Sequence, residues 1–116
     1  MKTLLKLEYL AEFVLSIFVF SRLDFAWWWF PALILLPDLS MIGYVANSKI
    51  GAALYNFVHH KGLGILIGIV GFVLGQEVLV LAGVILFGHS AMDRLFGYGL
   101  KYDDDFKNTH LGKIGN

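Results

Sequence analysis

The chain has no cysteine, only two prolines and few charged residues among its 116 residues. Without cysteine it can form no disulfide, no thiolate nucleophile and no cysteine-ligated zinc site. Charged residues make up 16% of the chain, whereas they make up about a quarter of ordinary soluble domains. Nine basic and nine acidic side chains balance each other, so we expect no nucleic-acid partner.

Apolar residues are abundant instead. They account for 58% of the chain, and the mean hydropathy is +0.70. Four apolar segments follow one another at roughly 4–20, 25–46, 49–74 and 78–97, joined by short connections. We therefore predict an all-α integral membrane four-helix bundle of up-down-up-down topology. A single transmembrane domain would cover residues 1–99, followed by a polar cytoplasmic tail over residues 100–116.

Proline and glycine predict where the segments are interrupted. Pro37 removes a backbone donor, so segment two should kink or restart there. Gly62 and Gly64 predict a break in the third helix near Gly62, which makes segment three either one bent helix or two helices. The aromatic run 25–30 is typical of a membrane interface, although core packing would also use it.

Lysines predict the orientation in the membrane. Six of them fall on one side of the predicted bundle and Arg22 stands alone on the other, so both termini should be cytoplasmic. The protein is then integral to the cytoplasmic membrane with membrane lipids as its partners. Glycines at 51, 68, 71 and 75 would also allow close packing between copies in a homo-oligomer.

Ionisable and amide side chains recur at one depth, in the cytoplasmic half of the predicted membrane region. His89 and Asp93 are four residues apart, so they share one helix face, and Arg94 follows directly. The others at this depth are Glu8, Glu12, Asp38, Asn56 and His59. Because lone charges are costly in a membrane, we expect these groups to meet in a polar pocket open to the cytosol.

Two imidazoles with two carboxylates can bind a divalent ion such as zinc or manganese. The candidate ligands are Asp38, His59, His89 and Asp93. The candidate catalytic residues are Glu8 as general base or partner of a ligand, Asp93, and Arg94 for phosphate; the candidate ligand-binding residues are Asn56, His60, Tyr98 and Lys101. This set predicts metal-assisted hydrolysis of a lipid headgroup or phosphoester.

Other interpretations of the same residues stay open. The chain has no H-E-x-x-H motif, and the same side chains could do acid/base chemistry on a lipid headgroup without a metal. A non-catalytic network could instead order the bundle or hold a ligand such as lipid or haem. Taken alone, His60 is typical of a pocket rim, and Tyr55 and Tyr98 are typical of a membrane interface. The sequence thus leaves open whether the protein is an enzyme.

Several motifs resemble the bacterial domain-of-unknown-function family 4260. They are the stretch 37–44 (PDLSMIGY), the stretch 55–59 (YNFVH), His89-x-x-x-Asp93-Arg94, the stretch 97–102 (GYGLKY) and the stretch 109–112 (THLG). The resemblance covers nearly the whole chain. It implies a small four-helix protein of the bacterial membrane and no particular activity.

A weaker likeness is to the membrane-bound metal-dependent hydrolases. Their pattern of P-D, a histidine stretch in the next helix and H-x-x-x-D in a later one is similar to the order found here. Their histidine stretch usually reads H-R-G-x-T-H, whereas residues 56–62 (NFVHHKG) lack the second spaced histidine. The likeness implies a metal held by Asp38, His59 or His60, His89 and Asp93.

Overall fold

The computed structural model describes residues 2–96, 108–109 and 111–113. In them the chain forms five α-helices and one 3₁₀ helix, and two-residue strands β1 (Asn108–Thr109) and β2 (Gly112–Lys113) pair antiparallel. The helices are α1 (Lys2–Ser21), α2 (Trp29–Leu33), the 3₁₀ helix (Leu36–Val45), α3 (Ser48–His59), α4 (Lys61–Leu74) and α5 (Glu77–Leu95). The predicted all-α fold is confirmed.

Helix α5 is the centre of the fold. It packs against α1 and α4 and also touches α3 and the 3₁₀ helix. On one side, its residues Leu81, Val84 and Ile85 form a buried cluster with Phe20 of α1. On the α4 side, a Cβ at Gly83 would lie 2.5 Å from the backbone nitrogen of Gly68, so the two helices can approach this closely only because Gly83 has no side chain.

A tight turn joins α4 to α5. Gly75 ends α4 in the left-handed conformation with φ of 69°, and the Gln76 N–H donates to the Gly71 carbonyl at 2.8 Å. Such a glycine termination reverses the chain sharply. Gly71 packs against Leu79 and Val80 at the start of α5. Three of the four glycines predicted to allow contacts between copies, Gly68, Gly71 and Gly75, thus serve the contact of α4 with α5 and the turn between them.

Segment two differs from the predicted kinked helix. It consists of α2, five residues long, and the ten-residue 3₁₀ helix. Pro31 lies inside α2 and Pro37 is at the start of the 3₁₀ helix. Each proline lacks an N–H and crowds the preceding turn, so regular α-helical hydrogen bonding does not extend across residues 29–45. Segment two therefore packs beside α3 and α5 as two short helices and not as one continuous helix.

Segment three is two helices, bent by 44°. The break lies at His60 rather than at Gly62, because His60 adopts extended backbone angles and its Nδ1 accepts a hydrogen bond from the Gly62 N–H at 3.0 Å. His60 thereby caps the first turn of α4. The half-buried Lys61 follows and pairs with Glu12 of α1 at 2.7 Å, which holds the bend against α1.

Among the described residues, α5 is long and apolar enough to cross a membrane, and the bent pair α3 and α4 would pass the same test if counted as one span. Helix α1 carries Lys6, Glu8 and Glu12, and segment two is divided into short helices. The structure therefore contains one or two candidate spans by length and composition, and an integral bundle of four spans is not confirmed.

Candidate metal centre

Three elements converge at the C-terminal part of α5. The 3₁₀ helix contributes Asp38 in its first turn, α3 contributes His59 as its last residue, and α5 contributes His89 and Asp93, one turn apart. One ligand atom from each of the four residues lies within 4.8 Å of all the others. The structure thus brings together the four residues predicted as metal ligands, and this group could hold a metal ion.

Both histidines present Nε2 to both carboxylates. His89 Nε2 lies 2.9 Å from Asp38 Oδ1 and 3.2 Å from Asp93 Oδ2. His59 Nε2 lies 3.5 Å and 3.3 Å from the same two oxygens. A tetrahedral ion with bonds of about 2.0–2.1 Å requires ligand atoms that are about 3.3 Å apart. The four nitrogen–oxygen separations bracket this value, and the nitrogen–nitrogen and oxygen–oxygen separations are within 4.8 Å, so the group is compatible with a single bound ion.

The other ring nitrogens are held by the backbone. His59 Nδ1 donates to the Tyr55 carbonyl at 3.0 Å, and His89 Nδ1 donates to the Ile34 carbonyl. A carbonyl can only accept a hydrogen bond, so each histidine carries a proton on its Nδ1. Each Nε2 then offers a lone pair if the ring is neutral, or a second proton if the ring is charged. This arrangement, in which a ligand histidine donates its other N–H to a carbonyl, is the usual support of metal-binding histidines.

The charge balance of the group allows two states. If both imidazoles are neutral, the two carboxylates carry two negative charges. A divalent cation bound between them would balance these charges. Without a cation, protons on the Nε2 atoms would have to balance them. His59 Nε2 is buried and makes no hydrogen bond within the part of the chain that the structure describes, although such buried polar atoms usually have a partner. A buried nitrogen without a hydrogen bond that faces two carboxylates is typical of a histidine that binds a metal ion.

Tyr55 supports the group from α3. Its ring stacks on His59 with centroids 3.8 Å apart and planes 8° from parallel, and its hydroxyl donates to Asp93 Oδ2 at 3.2 Å. It therefore orients one histidine and one carboxylate at once. The sequence favours an aromatic of the membrane interface at Tyr55, yet its position four residues before His59 places both on one face of α3, a signal that could have found this role.

Access to the group is from one side. The side chains of His89, His59 and Asp93 are 0%, 3% and 12% exposed, whereas that of Asp38 is 35% exposed. Asp38 is held at the rim by the 3₁₀ helix, which begins with Pro37 directly before it. A substrate would reach the group beside Asp38.

The remaining predicted site residues lie around this group or away from it. Glu8 is exposed on α1 and is not part of the group. Arg94 is half-buried next to Asp93, and its Nη2 points at the His59 carbonyl at a long 3.5 Å. His60 is exposed and caps α4, and Asn56 is half-buried on α3. Tyr98 and Lys101 lie outside the described residues, and the functional roles assigned to all of these residues stay predictions.

Comparison with known proteins gives a family and no activity. No curated protein and no solved structure matches the chain. A family model described as "Domain of unknown function (DUF4260)" matches residues 2–114, which is nearly the whole chain. The resemblance noted from the sequence motifs is thereby confirmed, and the chain belongs to the DUF4260 family.

Proposed function

We propose that this protein is a membrane-embedded, metal-dependent hydrolase that acts on a phosphoester of a lipid headgroup. The observation that carries the proposal is the convergence of two histidine Nε2 atoms and two carboxylate oxygens, with each nitrogen 2.9–3.5 Å from both oxygens and all four atoms within 4.8 Å of one another. Zinc and manganese both suit a set of two imidazoles and two carboxylates.

The apolar surface supports the membrane part of the proposal. Large apolar side chains are exposed along α1 and α4; Phe18, Phe72 and Val73 are 61%, 80% and 74% exposed. A soluble monomer rarely exposes a contiguous apolar surface of this kind. At the start of segment two, Trp27 is 77% exposed, as expected of a tryptophan at a membrane interface. Lipid would cover these faces.

The proposed orientation has both termini in the cytoplasm. Helix α1 runs antiparallel to α5, because Ser16 of α1 lies against Gly88 while Phe20 packs near Leu81. The connections at 22–28 and 75–76 would therefore share one side of the membrane. Since the chain lacks cysteine, single cysteines at positions 24 and 76 should react with an impermeant maleimide from outside the cell, and one at position 46 should not. External labelling at position 46 alone would reverse the orientation.

The residues of the group have different roles in the proposed hydrolysis. A bound divalent ion supplies Lewis acidity toward a phosphoryl oxygen and activates water. The buried His59, His89 and Asp93 hold it, and Tyr55 keeps Asp93 in place. Asp38 is the most exposed of the four ligand candidates, and we assign it to the base that takes a proton from the attacking water rather than to the ion, which leaves the fourth position of the ion open to water. This role was predicted for Glu8, which is not part of the group.

A non-catalytic network is the second candidate, and a specific observation favours it. Each Nε2 lies within 3.5 Å of both carboxylates, so imidazolium and carboxylate groups could pair and hold three elements in register without a metal. Haem ligation has less support, because a porphyrin would have to fit between histidine rings whose centroids are 4.9 Å apart.

Metal analysis distinguishes these candidates. The protein is extracted in mild detergent without chelator, and zinc, manganese and iron are measured by elemental mass spectrometry in the wild type, His89→Ala and Ser90→Ala. Ser90 is the matched control because it is equally buried and adjacent, but its hydroxyl only donates to the Leu86 carbonyl of the same helix at 2.9 Å.

We expect close to one metal per chain in the wild type and Ser90→Ala, and none in His89→Ala. Phosphodiesterase activity toward a chromogenic ester should follow the metal content. Folded wild-type protein that binds neither zinc nor manganese, even after both are added back, would refute the proposed function and favour the network.

A further inference from the structure

An apolar cavity lies beside α5, close to the candidate metal-binding group of Asp38, His59, His89 and Asp93. A cavity of about 310 Å³ is formed between α5 and the residues that lead into the 3₁₀ helix. On the α5 side its wall includes Leu81, Ala82 and Ile85, and on the other side Leu33, Leu36 and Pro37. All of these side chains are apolar, so the cavity suits a hydrocarbon and offers nothing to a polar ligand.

The residues that line the cavity are close in sequence to two of the predicted ligands. Pro37 lines the cavity and Asp38 follows it directly in the group. Ile85 lies four residues before His89, and so on the same face of α5, about 6 Å along the axis. The cavity thus begins one helical turn from the predicted ligands.

The predicted ligands and the cavity follow each other along α5 as the headgroup and the acyl chain follow each other in a lipid. The predicted ligands His89 and Asp93 lie in the last two turns of α5, whereas the cavity wall extends from Leu86 back to Val78, near its other end. If α5 spans the membrane, the ligands lie within about 9 Å of its C-terminal end, near the headgroup level, and the cavity extends from them toward the membrane interior. A phosphate at the group would then have its hydrocarbon chain in the cavity.

The cavity also has an opening on the apolar surface. Leu36 and Val78 on its wall are 52% and 69% exposed. A chain could enter sideways from the lipid phase without leaving an apolar environment. A second groove of about 490 Å³ between α1, α4 and α5 is apolar too. Its wall includes Phe87, which is two residues before His89 and therefore on nearly the opposite side of α5, but none of the four predicted ligands or residues adjacent to them in sequence.

We propose that this cavity binds one acyl chain of a lipid whose phosphate headgroup lies at the Asp38, His59, His89 and Asp93 group. The inference rests on the proposed function and names its substrate class, which is an acyl lipid whose headgroup contains a phosphate. The reaction is hydrolysis, in which water adds to phosphorus, the bond to the alkoxide leaving group breaks, and the alkoxide takes up a proton.

Photolabelling tests the cavity directly. The protein is reconstituted in phosphatidylcholine vesicles that contain phosphatidic acid with a diazirine in one acyl chain, and the labelled residues are mapped by mass spectrometry. Ala82→Phe fills the cavity from α5, and Leu36→Trp blocks its exposed side. Val80→Phe is the matched control, because Val80 is on the same helix but lines the second groove.

We expect labels to concentrate on the cavity wall in the wild type and Val80→Phe, and to fall to the level of the exposed faces in Ala82→Phe and Leu36→Trp. The thermal unfolding midpoint in detergent and the metal content should be equal in all four proteins, so that a loss of labelling is not a loss of folding. Labels spread evenly over the exposed apolar faces, or concentrated in the second groove, would overturn the inference.

The same samples separate this inference from the proposed function. If the protein binds metal but the cavity is not labelled, the proposed lipid site is refuted and the proposed metal centre is not affected. Labelling of the cavity in a folded protein that takes up no metal would remove the metal-dependent reaction, and with it the inference that this lipid is a substrate.

Discussion

Replacing Tyr55 by phenylalanine tests how the metal-binding group is supported. The substitution removes one hydroxyl and keeps the ring that stacks on His59 at 3.8 Å. The lost contact is the hydrogen bond from Tyr55 to Asp93 Oδ2, which is buried and 3.2 Å long. Tyr55→Phe therefore isolates the orientation of one carboxylate from the orientation of one histidine.

The expected magnitude follows from the length of that bond. A hydrogen bond to a charged group contributes about 1.5–3 kcal/mol, and a hydroxyl bonded to a carboxylate is usually 2.5–2.7 Å from it. At 3.2 Å the contribution should be near the lower limit, which corresponds to roughly a tenfold change in an equilibrium constant. We expect Tyr55→Phe to weaken metal binding by about tenfold, within the range of 10–100-fold typical of residues that orient metal ligands.

Chelator competition measures this effect. The wild type, Tyr55→Phe and Tyr55→Ala are titrated with zinc against a chromogenic chelator at fixed pH and ionic strength. Tyr55→Ala should bind more weakly than Tyr55→Phe because it also removes the surface that His59 stacks on. Equal zinc affinity in the wild type and Tyr55→Phe would show that the hydroxyl does not position Asp93, and our account of this side chain would be wrong.

Two further comparisons test the site and the packing. Asp38→Asn should keep the metal and lose hydrolysis, whereas Asp93→Asn should lose both, as measured by metal analysis and phosphodiesterase assay; a fully active Asp38→Asn would exclude Asp38 as the base. Gly83→Ala should lower the free energy of unfolding by about 1–3 kcal/mol, because its Cβ would lie 2.5 Å from the Gly68 backbone nitrogen. Gly68→Ala should be tolerated in the same thermal unfolding assay, since its Cβ would have its nearest contact at 4.0 Å; equal losses in both variants would argue against this packing.

The ligand set could be predicted because its signals are local. His89 and Asp93 share a helix face through their spacing alone, and the other two ligands were chosen because their depth in the predicted segments matched. The same depth argument also selected Glu8, which the structure places on an exposed part of α1. Depth along a helix says nothing about which side of the helix a residue occupies, so it could not separate Glu8 from the true members of the group.

The break in segment three shows a similar limit. Two glycines indicated an interruption near residue 62, but the cap that sets its position is a hydrogen bond from the Gly62 N–H to His60. Segment two illustrates the opposite case, since Pro37 predicted a kink and the two prolines together prevent a regular helix across residues 29–45. A pattern of apolar residues cannot show how far such a disruption extends.

The sequence by itself determined the all-α class, the family and the four residues able to bind a metal, because composition, motifs and helical spacing are properties of the chain alone. Only the tertiary structure decided that those four side chains meet, that backbone carbonyls hold both Nδ1 atoms, and that Tyr55 orients Asp93. It also decided that an apolar cavity adjoins the group. These features depend on distances between residues as much as 55 positions apart, which are fixed by helix packing around α5 and not by any local pattern.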